Sequence, residues 1–187
     1  MGNAAARLQE LTGNEVNMSV PSVKLISLEE YHQALGIEVD NDNLISVSEE
    51  FSGSFSGKAV LMFYFENSVN LIKGLMPGMA YENDLNEMEE EVLLEVGNIL
   101  INSCISVFAN ILNKELITSL PSYNKGTIQN ILSESIDPDD EMKILLAEID
   151  FKVESQEISG HMALNLTLPV LESILKDLYA TLGLEAA

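Results

Sequence analysis

The sequence is poor in the residue types on which several common functions depend. Its 187 residues include one cysteine, two histidines and no tryptophan. The lone Cys104 cannot form an internal disulfide, and His32 and His161 lie too far apart for zinc-ligand spacing. We expect Cys104 to be a core residue of a helix, His32 a surface residue, and His161 a packed or edge residue of a strand. These shortages exclude a disulfide scaffold and a zinc finger, and they predict a protein with no metal or cofactor of its own.

Basic residues are also scarce. Nine Lys and Arg residues stand against 30 Asp and Glu residues, which gives a formal net charge of −21. A surface this acidic repels phosphate backbones and anionic lipid headgroups. We therefore expect no nucleic acid and no membrane among the partners. Apolar residues make up 47% of the chain, which is a globular composition rather than that of a disordered tail.

The longest uncharged run, residues 96–113, is almost long enough to span a bilayer. It nevertheless contains four asparagines, whose amides could not all be satisfied in lipid. The run is better interpreted as a half-buried helix. The N-terminal residues show neither a secretory signal pattern nor a myristoylation pattern, so a cytoplasmic location is expected.

The chain resembles itself at an offset of about 100 residues. Ser19, Pro21 and Ser22 correspond to Ser119, Pro121 and Ser122, all with an offset of 100. At an offset of 103, Ser56-Gly57 corresponds to Ser159-Gly160, and several lysine and leucine positions also match. This pattern predicts two halves of the same plan, at about 1–80 and 85–187.

Each half is predicted to contain a helix, a short strand, a proline, a hairpin and a closing helix. In the first half these are a helix at 4–12, a strand at 15–20 that ends at Pro21, a β-rich stretch at 51–65 and a helix at 68–76. In the second half they are a helix at 85–113, a strand at 116–120 before Pro121, a charged turn at 137–141, a hairpin of 143–153 with 158–168, and a helix at 170–181. The expected fold is α+β, with two pseudo-symmetric repeats sharing one mixed sheet and the long helices packed on one face.

The long second helix carries a polar stripe. At 100° per residue, several polar side chains share one sector: Asp84, Glu91, Glu95, Asn98, Asn102, Ser106 and Asn113. The opposite side should be buried: Leu93, Val96, Leu100, Cys104, Val107, Phe108 and Ile111. A polar stripe on an acidic protein is by itself ordinary surface. However, Asn is a poor helix former, and Glu95 and Asn98 lie one turn apart, so the pair could hold a cation or orient a water molecule.

The stretch Glu95-Val96-Gly97-Asn98, with Pro121 placed 23 residues after Asn98, resembles the ExxN...P signature of the CheC/CheX/FliY phosphatases of bacterial chemotaxis. The duplicated plan is similar to CheC in particular. Gly2-Asn3-Ala4-Ala5 and Met18-Ser19-Val20-Pro21 resemble the later part of a first copy of the motif. The likeness covers nearly the whole chain, so residues 1–187 are expected to form a single CheC-like domain.

The resemblance implies removal of phosphate from the aspartyl phosphate of a CheY-like response regulator, with Mg²⁺ held by that regulator. It assigns Glu95 to a salt bridge with the regulator's active-site lysine and Asn98 to orienting the attacking water. Pro121, like Pro21, is implied to be structural, ending the strand that follows the helix. Four surrounding positions are expected to support the pair or to contact the partner: Glu91, Val92, Ile99 and Asn102. The family usually has Asp or Ser at the position of Glu91.

Counting back from Pro21 places the first copy's Glu and Asn before residue 1, so one recognisable site is expected, on the long helix. Two functions remain open. The chain is a phosphatase, or it is a non-catalytic adaptor of the same fold, such as a flagellar-switch module or a module that binds the deamidase CheD. A small-molecule sensor is a third, weaker alternative.

Overall fold

A computed structural model of the chain describes residues 2–13, 15–27, 30, 43–76, 85–133, 142–153 and 156–182. The helices are α1 (Gly2–Thr12), α2 (Phe65–Leu75), α3 (Glu87–Leu112), α4 (Ile128–Ser133) and α5 (Leu168–Leu182). The strands are β1 (Val16–Ser27), β2 (Leu44–Gly53), β3 (Gly57–Tyr64), β4 (Leu116–Thr118), β5 (Ser122–Gly126), β6 (Met142–Val153) and β7 (Gln156–Thr167). The predicted long helix, the β6–β7 hairpin and the closing helix α5 are confirmed.

The strands form one sheet in the order β1-β6-β7-β3-β2-β4, and β5 also pairs with β2. Each strand pairing within the described residues is antiparallel. The α+β class is therefore confirmed, whereas the prediction of a mixed sheet is wrong. The paired strands are either consecutive strands of a hairpin or strands from different halves of the chain. Among the described residues no βαβ crossover creates a parallel pair.

The longer helices pack on one face of the sheet. Because side chains alternate along a strand, Ile45, Val47 and Phe51 of β2 lie on the same face and join the larger core cluster with α1, α2, α3 and α5. The opposite face is covered in part by the short helix α4, whose Ile128 and Ile131 pack with residues such as Val60. The face that carries α3 is therefore the one on which the candidate site lies.

Helix α3 has a well-defined beginning. The Asn86 side chain accepts hydrogen bonds from the backbone N–H groups of Met88 and Glu89, at 3.0 and 3.1 Å, and the Glu89 carboxylate accepts one from the backbone of Asn86 at 2.8 Å. This capping box satisfies donors that a helix start leaves open. By length and composition, α3 is also the one helix among the described residues that could cross a membrane. Its residues Val96 and Leu100 are instead buried against the sheet, as expected for a core helix.

Gly97 explains how α3 approaches the sheet. A Cβ atom built at this position would collide with the side chain of Val47 on β2. Gly97 therefore allows a close approach between α3 and a strand of the sheet.

Two other predictions need correction. Pro21 lies inside β1 rather than at its end, at the point where the pairing with β6 shifts register between Ser19 and Ser22. An edge strand tolerates proline because one side of its backbone needs no partner. Val107, expected on the buried side of α3, is 46% exposed. The predictions for His32, for Asp84 and for the charged turn at 137–141 lie outside the described residues.

Candidate functional site

The structure places Glu95 and Asn98 on one side of α3, a single turn apart. Glu95 is exposed, and Asn98 is half-buried. Residues three apart on a helix are neighbours, so one carboxylate and one amide are presented to solvent together. Asn102, another turn along the same side, is also half-buried. The pair lies in the middle of a 26-residue capped helix, so its backbone is fixed along the whole length of the site.

Asn98 is held by Asn102. The Nδ2 atom of Asn102 donates to Oδ1 of Asn98 at 2.6 Å and to the backbone oxygen of Asn98 at 2.9 Å. The Oδ1 atom of Asn102 accepts from the hydroxyl of Thr118 at 2.8 Å. Within the described part of the chain, no hydrogen bond engages the Nδ2 atom of Asn98. The N–H groups of Asn98 therefore remain for a bound partner.

A buried carboxylate lies beneath this amide pair. Glu49 of β2 is 1% exposed, and its Oε2 accepts from Nδ2 of Asn102 at 3.2 Å. Its Oε1 is buried and has no hydrogen-bond partner among the described residues. Burial raises the pKa of Glu49 to about 7, and the neighbouring polar side chains of Thr118 and Asn102 oppose this shift only in part. Glu49 is thus an acid that titrates near neutral pH at the base of the site.

Glu49 lies where the edge of the sheet is interrupted. Strand β4 pairs with β2 from Phe51 to Gly53, and β5 pairs with β2 from Leu44 to Ser48. Between these two ladders, Ser119 replaces regular pairing: its backbone N–H donates to the oxygen of Glu50 at 2.8 Å, and its hydroxyl accepts from the N–H of Glu50 at 3.0 Å. Pro121 lies in this same interruption, just before β5.

An exposed apolar side chain flanks the site at the interruption. Leu120 is 89% exposed and follows Thr118 by two residues. Exposed leucines are ordinary when single, but this one is close in sequence to Thr118, whose hydroxyl donates to Asn102. Of the two apolar side chains expected to support the pair or to contact a partner, Ile99 is 7% exposed and packs in the core. Val92 is half-buried and also packs against the core.

The remaining candidates are distributed as follows. Glu91 is exposed one turn before Glu95. Burial raises the pKa of the half-buried Cys104 thiol, which makes it a poor nucleophile. Burial lowers the pKa of His161, and the carboxylates of Glu148 and Asp150 oppose this shift. Among the described residues, no group of three or more His, Cys, Asp or Glu side chains could hold a metal ion.

The sequence reasoning missed Glu49 and Thr118, although a signal for Glu49 exists. In β2 the residues at alternate positions, Ile45, Val47 and Phe51, point into the core, and Glu49 occupies the remaining place in this series. The alternation of side chains along residues 44–53 therefore predicts that Glu49 faces the interior of the protein. Thr118 has no comparable signal, because its role depends on how β4 meets α3.

The arrangement favours positioning chemistry over covalent catalysis. It offers an exposed carboxylate, which can pair with a cation, and an amide whose direction is fixed by neighbours. It offers no activated nucleophile, since the described part of the chain places neither Cys104 nor a histidine beside the pair. A neutral amide can donate hydrogen bonds to a water molecule or to a phosphoryl oxygen without repelling the phosphoryl group.

No family model matches the sequence. The sequence is similar to curated proteins, among them the following two. CheC1 of Halobacterium salinarum is 27% identical over 136 residues, which cover 72% of this chain and 67% of that protein. The CheY-P phosphatase CheC of Bacillus subtilis is 25% identical over 190 aligned positions, which cover 97% of this chain and 88% of that protein.

Solved structures share the fold at lower identity. Thermotoga maritima FliY matches with a TM-score of 0.69 and 16% identity, covering 96% of this chain and 90% of that chain. The FliM middle domain of Vibrio alginolyticus matches with a TM-score of 0.65 and 12% identity, covering 94% and 93%. The CheX–CheY–BeF₃–Mg²⁺ complex of Borrelia burgdorferi matches with a TM-score of 0.51 and 17% identity, covering 88% and 94%.

Proposed function

Because the chain belongs to the CheC/CheX/FliY family, we propose that it hydrolyses the aspartyl phosphate of a CheY-like response regulator. One observation carries the proposal: an exposed carboxylate, Glu95, and an amide with a fixed direction, Asn98, stand one turn apart on the surface of α3. Two similarities support it. The Bacillus subtilis relative is named a CheY-P phosphatase, and a protein of the same fold was solved in complex with CheY.

In the proposed mechanism Glu95 pairs with the lysine of the regulator's active site and thereby docks α3 over the acyl phosphate. Asn98 then donates hydrogen bonds through Nδ2 and holds a water molecule in line with the phosphorus–oxygen bond. Attack by that water breaks this bond, returns the regulator's aspartate as a carboxylate and releases inorganic phosphate. Most of the barrier in phosphoryl transfer is lowered by positioning and by charge stabilisation, which is what these two side chains supply.

The phosphatase itself contributes no cofactor in this proposal. Mg²⁺ belongs to the regulator, where it neutralises charge on the phosphoryl group. Glu95 and Asn98 need only approach a site that the partner has already assembled. The proposed location is the cytoplasm, where response regulators act, and the deamidase CheD is proposed as a second partner.

We also propose that the two halves are repeats related by a pseudo-twofold axis between β3 and β7. Lys58 pairs with Asn165, and Met62 pairs with His161. The sequence offset of 103 relates Lys58 to His161 and Met62 to Asn165, so it exchanges the two pairs. The edges support the same relation: β1 lies outside β6, β4 and β5 lie outside β2, and the pairing at each edge is interrupted beside a proline.

A phosphate-release assay with a phosphorylated CheY-like regulator tests the proposed activity. The wild-type chain should accelerate release above the regulator's own rate, and Asn98→Ala and Glu95→Ala should each abolish most of this acceleration. Matched controls are Asn110→Ala, an exposed asparagine near the end of α3, and Glu172→Ala, an exposed glutamate of α5. Equal rates for Asn98→Ala, Glu95→Ala and wild type would refute the proposal.

A non-catalytic adaptor is the second candidate, because the FliM middle domain shares the fold over 94% of this chain. The same assay separates the two. An adaptor would bind the regulator without accelerating phosphate release, and binding would persist in Asn98→Ala.

A further inference from the structure

Side chains from three separate elements, β2, α3 and β4, converge on the amide of Asn102, which in turn holds the amide of Asn98. We infer that Glu49 and Asn102 are positioning residues for Asn98, which fix the direction in which its amide faces a bound regulator. The inference rests on the proposed phosphatase function for its consequence, but the positioning itself can be tested without any partner.

The direction of the Asn102 amide follows from its partners. Thr118 is a hydroxyl donor at 2.8 Å from Oδ1, whereas Glu49 and Asn98 offer oxygens at 3.2 and 2.6 Å from Nδ2. Rotating the Asn102 amide by 180° would place its oxygen against the oxygens of the ionised Glu49 and of Asn98. The Thr118 hydroxyl does not discriminate, because it can accept from an N–H group as well as donate to an oxygen. The two oxygens on the Nδ2 side therefore decide the orientation of the amide.

The orientation of the Asn102 amide in turn fixes the orientation of the Asn98 amide. With its Oδ1 accepting from Asn102, Asn98 must turn its Nδ2 outward. The N–H groups are the part of the amide that can donate to a water molecule or to a phosphoryl oxygen. A chain in which Asn98 rotated freely would spend part of its time with the oxygen outward, where it would repel a phosphoryl oxygen. The Asn102 contact removes that alternative.

Glu49 is the unusual member of the group. A carboxylate is costly to bury, and one of its two oxygens has no hydrogen-bond partner among the residues that the structure describes. Packing alone would favour an apolar residue here, since Ile45, Val47 and Phe51 occupy the equivalent places along β2. What Glu49 adds is a charged acceptor that strengthens the hydrogen bond from Asn102 and fixes the orientation of its amide.

The charge on Glu49 responds to pH in the physiological range, because burial raises its pKa to about 7. The groups that contribute to this value from the packed elements are uncharged: Thr118 of β4 and Asn102 of α3. Two neighbouring carboxylates point elsewhere. Glu50 is opposite Lys58 in the β2–β3 ladder, and its side chain is on the other face of the sheet from Glu49. Glu95 is exposed on α3.

The first test measures positioning alone, by following the side-chain amide ¹H–¹⁵N resonances of Asn98 and Asn102 from about pH 5.5 to 8.5. Both should shift with a midpoint near 7 in the wild-type chain, and Glu49→Gln should abolish the transition. The matched control is Glu89→Gln, which alters another buried glutamate with an unpartnered oxygen, at the start of α3. This control should leave both resonances titrating as in wild type. Resonances that stay constant in the wild-type chain would overturn the inference, even if Glu49→Gln failed to fold.

The second test measures the consequence for turnover. At a saturating concentration of the chain, the first-order rate of phosphate loss should fall as pH decreases through 7, after subtraction of the regulator's own rate. Glu49→Gln should lower the rate above pH 7 by roughly tenfold and flatten this profile. Glu89→Gln should retain it. A wild-type chain with no turnover would refute the proposed function alone, whereas turnover with an identical pH profile in Glu49→Gln would refute the inference alone.

Discussion

Gly97 of α3 lies so close to Val47 of β2 that a methyl group at residue 97 would collide with the valine side chain. This contact sets the distance between the helix and the sheet one residue before Asn98. The hydrogen bond from Asn102 to Glu49 spans the same gap one turn further along the helix. The approach at Gly97 is therefore part of what brings the amide pair within reach of the buried carboxylate.

Gly97→Ala should destabilise the chain by up to about 2 kcal/mol. Helix propensity alone would favour Ala by about 1 kcal/mol, but overpacking against a strand costs about 1–3 kcal/mol. Urea denaturation measures the change. The double variant Gly97→Ala/Val47→Ala is the control, since it opens the space again and should be less destabilised than the sum of the single variants. A stabilised Gly97→Ala would show that the helix can move away freely.

Glu49 should make the folded state less stable as pH rises. Its pKa is about 7 in the folded chain, against 4.5 for an unperturbed glutamate, so the folded state binds more protons between these values. Stability is then lost as pH increases from about 4.5 through about 7, by roughly 3 kcal/mol from this residue. The general repulsion among 30 acidic residues acts in the same direction.

Glu49→Gln separates the two effects, because it keeps the overall acidity of the chain almost unchanged. Its free energy of unfolding, measured by urea titration from about pH 5 to 8, should decline less steeply than that of the wild-type chain. Parallel pH dependences in the two proteins would mean that Glu49 ionises in the folded chain as it does in the unfolded one.

Leu120→Ser should weaken binding of the regulator while leaving the fold intact. The side chain is 89% exposed, so the free energy of unfolding should change by less than about 0.5 kcal/mol. If the regulator covers Leu120, its affinity should fall by up to about tenfold, which titration calorimetry can measure. Val23→Ser is the matched control, since Val23 is 57% exposed on the opposite edge strand β1. Equal affinities for Leu120→Ser and wild type would place the contact surface elsewhere.

Added salt should strengthen association with the regulator up to moderate ionic strength. The chain carries a net charge of −21, and the family resemblance implies an acidic active site on the partner. Salt screens this repulsion, because the Debye length falls to about 10 Å at 0.1 M. The association rate constant, measured by stopped-flow fluorescence, should therefore rise between about 0.02 and 0.15 M NaCl. A steep decrease would indicate that attraction by Glu95 and its acidic neighbours dominates the encounter.

The sequence predicted the elements that have strong local patterns. The long helix was visible from its uncharged run and the β6–β7 hairpin from its alternation, and both have nearly the predicted bounds. The prediction for the first half was weaker. The β-rich stretch was expected to begin at Phe51, whereas β2 begins at Leu44. Ser46 and Ser48 alternate with core residues as in a half-buried strand, but the adjacent acids Glu49 and Glu50 break this alternation before Phe51.

In the candidate site, too, the features set by local sequence could be predicted and those set by tertiary contacts could not. Glu95 and Asn98 could be identified from their spacing on one helix, because helical geometry is local. The burial of Ile99 was not predicted, because this residue lies at the border between the polar stripe and the apolar side of α3, and packing against the sheet decides which of the two it joins. Glu49 comes from a strand 49 residues earlier than Asn98, so its contact with the site depends on the tertiary fold.

The proposed phosphatase activity depends most on the amide of Asn98, and Asn98→Asp tests this role most directly. The substitution keeps the shape of the side chain but replaces its N–H donors with a charged oxygen that repels the phosphoryl group. At a saturating concentration of the chain, we predict that the first-order rate of phosphate release from the regulator falls by roughly 10²-fold or more relative to wild type. A rate equal to that of wild type would show that the reaction does not need the amide of Asn98.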